Sequence, residues 1–247
     1  MVRATISADI VSSTSLSVEE LTLLQSEIRR FLDELAEKSQ GKNWGRLFKG
    51  DSVEIFLLDP HEALRVALML KTLVKKTFSW GKEMNVRREL FRKYGIRLAI
   101  GVGEMRTADQ QQDDTSWSSF VNRIGRIRNA DQQQNVLDGE AIYYSGRTLE
   151  KADKEGVSIK RSMFFACKNT LLTEQMDVIL GLLDLLLKEA TSKQCEILYY
   201  KLSGKNEEDI SKTLDIKQSA VNQRSSSIGW RTIESAVNYF EKLHFES

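Results

Sequence analysis

Two aspartates, an asparagine and an arginine are the residues of this chain best suited to chemistry on a phosphate. Asp9 closes the apolar run ATISADIV, Asp51 follows a glycine in LFKGDSVEIFLL, and Asn122 and Arg126 stand four apart in FVNRIGRIRN. Two carboxylates held close together repel unless a cation neutralises them, and hard oxygen ligands of this kind favour Mg²⁺ or Mn²⁺. A pair of such ions suits a nucleoside triphosphate: one activates the attacking oxygen, the other neutralises the phosphates and the leaving pyrophosphate. The turn SSTS beside Asp9 offers backbone N–H groups and the hydroxyls of Ser12, Ser13 and Thr14 to phosphate oxygens. Asn122 and Arg126 share one helix face. There the arginine can stabilise charge on pentavalent phosphorus while the asparagine orients a ribose. Taken singly, each aspartate also has an ordinary use, Asp9 as a cap for the following helix and Asp51 as a hairpin residue.

The elements that must position these residues are legible from periodicity. ATISADIV reads as a buried strand running into the polar turn and then a long helix, with Leu21, Leu24, Ile28, Phe31 and Leu35 on one face. WGRLFKGDSVEIFLL reads as a hairpin turning at Gly50-Asp51, with Val53, Ile55 and Leu57 alternating on its second strand. Asp59-Pro60 starts a second helix whose stripe is Ala63, Val66, Ala67, Leu70 and Val74. GIRLAIGVGE is a third core strand, followed by a polar loop from about 105 to 116 and the helix carrying Asn122. The order is βαββαβα, an α+β arrangement in which adjacent strands bring Asp9 and Asp51 together. From Leu171 the strands stop. Leu172, Met176, Ile179, Leu183, Leu186 and Ala190 repeat at four and three, as in a helix packed on another helix, either in the core or at a dimer seam. From Thr191 three short helices follow, SKQCEILYYKL, EEDISKTL and QSAVNQRSSSI. Two units result, 1–168 and 169–247.

Charge and cysteine usage narrow the classes. Thirty-six basic and 35 acidic side chains leave a net charge of +1, so no global field draws the chain to nucleic acid or membrane. Cys167 and Cys195 form neither a disulfide framework nor a paired metal motif, and the opening MVRATISADI lacks the regions of a signal peptide. A cytoplasmic location is expected. The most apolar stretch, VILGLLDLLL, contains Asp184 and is about half the length a bilayer requires. His61 and His244 stand alone, with no partner at metal or triad spacing, and are expected at the surface.

SADIVSST resembles the first-strand metal motif of class III nucleotidyl cyclases, KGDSVEIFL their Gly-Asp hairpin, IRLAIGVGE their next core strand, and FVNRIGR their valine-asparagine helix with its arginine. The likeness spans roughly residues 4 to 130, in the family's order. It implies a ferredoxin-like, palm-type sheet, Mg²⁺ or Mn²⁺ on Asp9 and Asp51, and a homodimer in which those residues face Asn122 and Arg126 of the other chain. Adenine-selective members carry a lysine and an aspartate where this chain has Leu47 and Thr115, the base-selecting positions; Asp113 and Asp114 lie nearby. The chain as a whole also resembles the SatD-like bacterial proteins, which join such a domain to a helical C-terminus.

EEDISKTLDIKQSAVNQRSSSI has helix-turn-helix spacing, with Ile210, Leu214, Ile216 and Val221 as its small core. Asp215 takes the turn position usually given to glycine and tolerates a left-handed conformation. From Ile216 to Ile233 there are three basic residues and no acidic one. Gln218, Ser219, Asn222 and Gln223 are placed to reach base edges, with Lys217 and Arg224 meeting phosphates. The segment resembles the helix-turn-helix of sigma-factor and LuxR-type regulators. Residues 191 to 247 hold eight basic and eight acidic side chains, a balance that equally suits protein contacts. Two functions follow: a metal-dependent cyclase acting on a nucleoside triphosphate, or a regulator of duplex DNA whose cyclase-like part only senses a ligand.

Overall fold

A computed structural model describes residues 1–78, 85–106, 138–154 and 161–245. The first strand, β1 (Val2–Ile10), leads through a single 3₁₀ turn at Ser13–Ser15 into α1 (Val18–Lys38). A capping box begins α1: Ser17 accepts from the Glu20 amide and the Glu20 carboxylate accepts from the Ser17 amide, so two otherwise unpaired donors are satisfied. β2 (Trp44–Phe48) and β3 (Ser52–Leu57) form the expected hairpin. Its turn has three residues, Lys49 to Asp51, because Phe48 and Ser52 still pair; Lys49 and Gly50 both take positive φ, 52° and 85°. Asp59 caps a 3₁₀ turn at Pro60 that runs into α2 (Ala63–Lys76). After α3 (Val86–Tyr94) comes the long strand β4 (Ile96–Arg106).

Among the described residues the sheet runs β2-β3-β1-β4, all antiparallel, so each pair of parallel strands has one antiparallel strand between them. The short strand β5 (Asp138–Gly139) extends it beyond β4, and β6 (Met163–Cys167) pairs with β4 in parallel, which makes the sheet mixed. α4 (Glu140–Lys154) lies between β5 and β6 in the chain. The protein is therefore α+β, with helices on both faces of the sheet.

Alternation along β1 divides the faces. Ala4, Ile6, Ala8 and Ile10 join Val53, Ile55 and Leu57 of β3 against α1 and α2. Arg3, Thr5, Ser7 and Asp9 point the other way, toward α4, where Ser145 Oγ lies 2.9 Å from both Thr5 Oγ1 and Ser7 Oγ. Gly101 makes this approach possible: a Cβ there would stand 2.1 Å from the Ala141 carbonyl oxygen, inside any permitted contact.

The remaining chain is helical: α5 (Thr170–Glu189), α6 (Ser192–Leu202), α7 (Glu207–Leu214), α8 (Gln218–Ser227) and α9 (Trp230–Phe240). The expectation of three helices after Thr191 missed α9, although Gly229 followed by Trp230, Ile233, Val237 and Phe240 is a helical start and stripe. The apolar core passes without a break from the sheet through α2 into α5, α6 and α9. α2 is thus enclosed on nearly all sides, and Leu64, Leu68, Leu73 and even Lys71 and Lys75 are buried beside its expected stripe. On α5 the buried residues are Met176, Leu180, Leu183 and Leu187; Leu186, expected on that face, is turned outward. His61 is not isolated. Its Nδ1 lies 2.6 Å from Asp59 Oδ1 and its Nε2 2.9 Å from the Leu243 carbonyl, which pins the end of the chain beside α2. Among the described residues no helix is long and apolar enough to cross a membrane.

Candidate functional site

The backbones of Asp9 and Asp51 adjoin at one end of the sheet. Asp9 is the register partner of Ser52, and the Ile10 amide donates to the Asp51 carbonyl at 2.9 Å, so the two aspartates stand on neighbouring strand ends. Each carboxylate accepts from a serine hydroxyl: Ser52 Oγ to Asp9 Oδ1 at 2.6 Å and Ser13 Oγ to Asp51 Oδ2 at 3.1 Å. Both side chains are half-buried. The hairpin that presents Asp51 is tied to α1, because Gln25 Nε2 donates to the Gly50 carbonyl at 2.8 Å. On the other side of β1, Arg97 of β4 is the register partner of Asp9. The footprint of Ser145 on Thr5 and Ser7 stops one pair short of Asp9.

The SSTS segment is a tight left-handed entry to the 3₁₀ turn. Ser12 has φ 52°, and its carbonyl accepts from the Ser15 amide at 2.8 Å. Thr14 is exposed, while Ser12 and Ser13 are half-buried. The N-terminus of α1 is closed by its own capping box and by Arg88, which bonds Glu20 at 2.7 Å and the Ser15 carbonyl at 3.1 Å. The free donors of this segment are therefore in the turn, not at the helix end.

Leu47 sits elsewhere. It pairs with Val53 and packs on the α1 side, whereas Asp9, Ser52 and Phe48 face the opposite side. Asn122, Arg126 and Thr115, with Asp113 and Asp114, lie outside the described residues. A two-aspartate donor set fits Mg²⁺ or Mn²⁺, which retain water and take one or two carboxylates together with substrate phosphates. It does not fit a closed structural zinc site, and among the described residues no group of three or more His, Cys, Asp or Glu could hold a metal. Ser52 and Arg97 were missed by the sequence reading. Serine beside the aspartate in GDS was visible, but its bond to Asp9 and the position of Arg97 depend on register.

A second polar surface lies on α7 and α8. Asp215 ends α7 with φ 51° and ψ 48°, the left-handed turn expected of it. Ile210, Leu214, Ile216 and Val221 pack together as expected, with Ile197 of α6 completing the cluster. Lys217, Gln218, Ser219, Asn222 and Gln223 are exposed and Arg224 is half-buried. Glu207 stands at their edge. Lys201 bonds its carboxylate at 2.8 Å and lowers its pKa, and Asn222 favours the charged form as well.

Comparison with known protein families, curated proteins and solved structures returns no match for this chain.

Proposed function

We propose that the protein is a nucleotidyl-cyclase-like, metal-dependent nucleoside-triphosphate-binding protein with a palm-type, ferredoxin-like sheet and a C-terminal helix-turn-helix. One observation supports the reading: Asp9 at the end of β1 and Asp51 in the β2–β3 turn adjoin along the backbone, each carboxylate accepts from a serine hydroxyl, and the SSTS turn lies beside them. Mg²⁺ or Mn²⁺ would be held by these two carboxylates and would supply charge neutralisation to the phosphates. Ser13 and Ser52 fix the carboxylates, and Ser12 and Thr14 contribute donors to the phosphate oxygens. Asn122 and Arg126 are assigned to ribose and transition-state charge by the sequence pattern.

The test is thermal unfolding with Mn²⁺ and each of the four nucleoside triphosphates, followed by mass analysis of products. Ligand that binds only the folded state must raise the melting temperature. Asp9→Asn and Asp51→Asn should each remove that rise, and variants that retain it in full would exclude the site. A cyclic nucleotide among the products makes the protein an enzyme. A second reading, a ligand-sensing regulator without catalysis, is favoured by Leu47: it faces the helix layer, so no base-selecting group of the usual kind stands on the Asp9 side of β2.

A further inference from the structure

Helix α5 buries one face in the core and leaves a second apolar face that the described residues do not cover. Leu171, Val178, Leu182 and Leu185 are 59–65% exposed, at spacings of seven, four and three that align them along one side of the helix. Other exposed large apolar residues, such as Met1, Val18 and Val86, are scattered. The stripe offers roughly 400–500 Å² of contiguous apolar surface, the size of the largest patch on a typical soluble monomer, which is often functional.

We propose that this face docks on a second copy of the same chain, with two α5 helices crossing antiparallel near Gly181. Three features select that occupant. First, Gly181 neighbours Val178 and Leu185 on the helix surface, yet nothing among the described residues requires it: a Cβ there would meet only Arg161 Nε, at 4.0 Å. A glycine in a helix interior is destabilising relative to alanine, and its compensation is close approach of another backbone. Second, Glu174 and Lys188 lie seven residues to either side of Gly181. An antiparallel pair related by a two-fold at Gly181 sets Glu174 of each copy against Lys188 of the other, whose ammonium lies 5.6 Å over its own Tyr94 ring and would turn outward to make two matched ion pairs. A parallel pair sets glutamate on glutamate. Third, two such stripes bury about 900 Å² of apolar area, and flanking polar side chains carry the total past the roughly 1,000 Å² of a stable interface. The pairing involves neither Asp9 nor Asp51 and does not depend on the nucleotide reading.

Sedimentation equilibrium on the full chain tests this. The wild type should be a dimer at micromolar concentration. Leu182→Glu should raise the dissociation constant about 100-fold or more, because both copies then bury a charge, while leaving the far-UV spectrum and melting temperature of the protomer intact. Val86→Glu, on the exposed side of α3, should leave the dimer unchanged. Geometry is read separately in a Cys167→Ser background. Leu182→Cys, next to the crossing, should oxidise to a linked dimer, whereas Leu171→Cys, ten residues away and so about 30 Å from its copy, should not. A wild-type monomer up to about 100 µM overturns the proposal. So does equal cross-linking at 171 and 182.

Discussion

Lys71 Nζ lies 3.3 Å from Asp184 Oδ1, and both side chains are withdrawn from water between α2 and α5. Their remaining bonds are filled: Lys71 donates to the carbonyls of Tyr94 and Ile96 and to Ser162 Oγ, while the Ser162 amide and hydroxyl both donate to Asp184. Burial lowers the lysine pKa, and Asp184 opposes that shift. The network joins α2, β4, the start of β6 and α5, so it clamps the helical C-terminal part to the sheet. Removing one member leaves a charge buried without its partner. Asp184→Ala should cost about 3–5 kcal/mol in denaturant unfolding, and the double change Lys71→Met with Asp184→Leu should recover most of it. A single-mutant loss below about 1 kcal/mol would contradict the clamp.

One turn further along α2, Lys75 gives the protein a pH dependence of known sign. Its Nζ donates to the carbonyls of Lys93 and Lys188, and burial lowers its pKa to about 8. Because the unfolded lysine keeps its ordinary, higher value, the unfolded chain holds more protons than the folded one above pH 8, and stability rises with pH there. Cys195 acts oppositely: burial raises its pKa to about 11, so its contribution is lost as pH rises above the ordinary thiol value of 9. Between pH 8 and 9 the lysine acts with little opposition. The wild type should gain about 1 kcal/mol across that interval relative to Lys75→Met, read as the difference between their unfolding curves.

Neither lysine was legible as a core residue, because Lys71 and Lys75 fall between the apolar positions of α2 and read as its solvent side. The helix is instead roofed by α6, a contact far away in sequence. Where burial alternates, as in β1, the hairpin and β4, periodicity alone located the elements and brought Asp9 next to Asp51. β6 was missed for the converse reason: MFFAC is five residues long and pairs in parallel with a distant strand, so neither length nor alternation marks it. Asp215 was legible because its turn chemistry is local.

Gly101 looked like an ordinary member of a strand pattern, yet it controls how closely α4 sits against the sheet. Gly101→Ala must move either the Ala141 carbonyl or the strand, and should destabilise by about 1–3 kcal/mol. The same change at Gly146, where a Cβ meets nothing within 4 Å, should be neutral or stabilising in the same assay, since alanine favours the helix.

At the aspartate pair, Ser52 and Asp9 should separate orientation from coordination. Loss of the 2.6 Å bond in Ser52→Ala leaves the carboxylate charge in place but frees its rotamer. Hydrogen bonds to charged groups contribute about 1.5–3 kcal/mol, so Ser52→Ala should weaken the Mn²⁺ and triphosphate effect on melting roughly 10- to 100-fold in apparent affinity. Asp9→Asn should abolish it. Equal, complete loss in both would make Ser52 a ligand in its own right.

The exposed face of α8 supports a prediction about salt. If the dimer presents two copies of this helix to duplex DNA, Lys217 and Arg224 provide about four phosphate contacts in all, and log affinity should fall with log salt at a slope of about −3.6. Arg224→Ala removes two contacts, so it should weaken binding to every sequence and reduce the slope to about −1.8. Asn222→Ala should leave the slope alone and relax the preference among sequences at a cost of roughly 1–3 kcal/mol for the best site. Glu207, an acidic group paired with Lys201 near Asn222, refines this. Glu207→Gln removes an acidic group that opposes phosphate and should tighten binding to every sequence while leaving the preference among sequences unchanged. Selection from random duplexes followed by titration at three salt concentrations reads both quantities. Two half-sites about one helical turn apart, or a whole multiple of it, are expected in the selected pool. A pool with no enriched sequence, combined with an unchanged slope in Arg224→Ala, would assign this face to a protein partner.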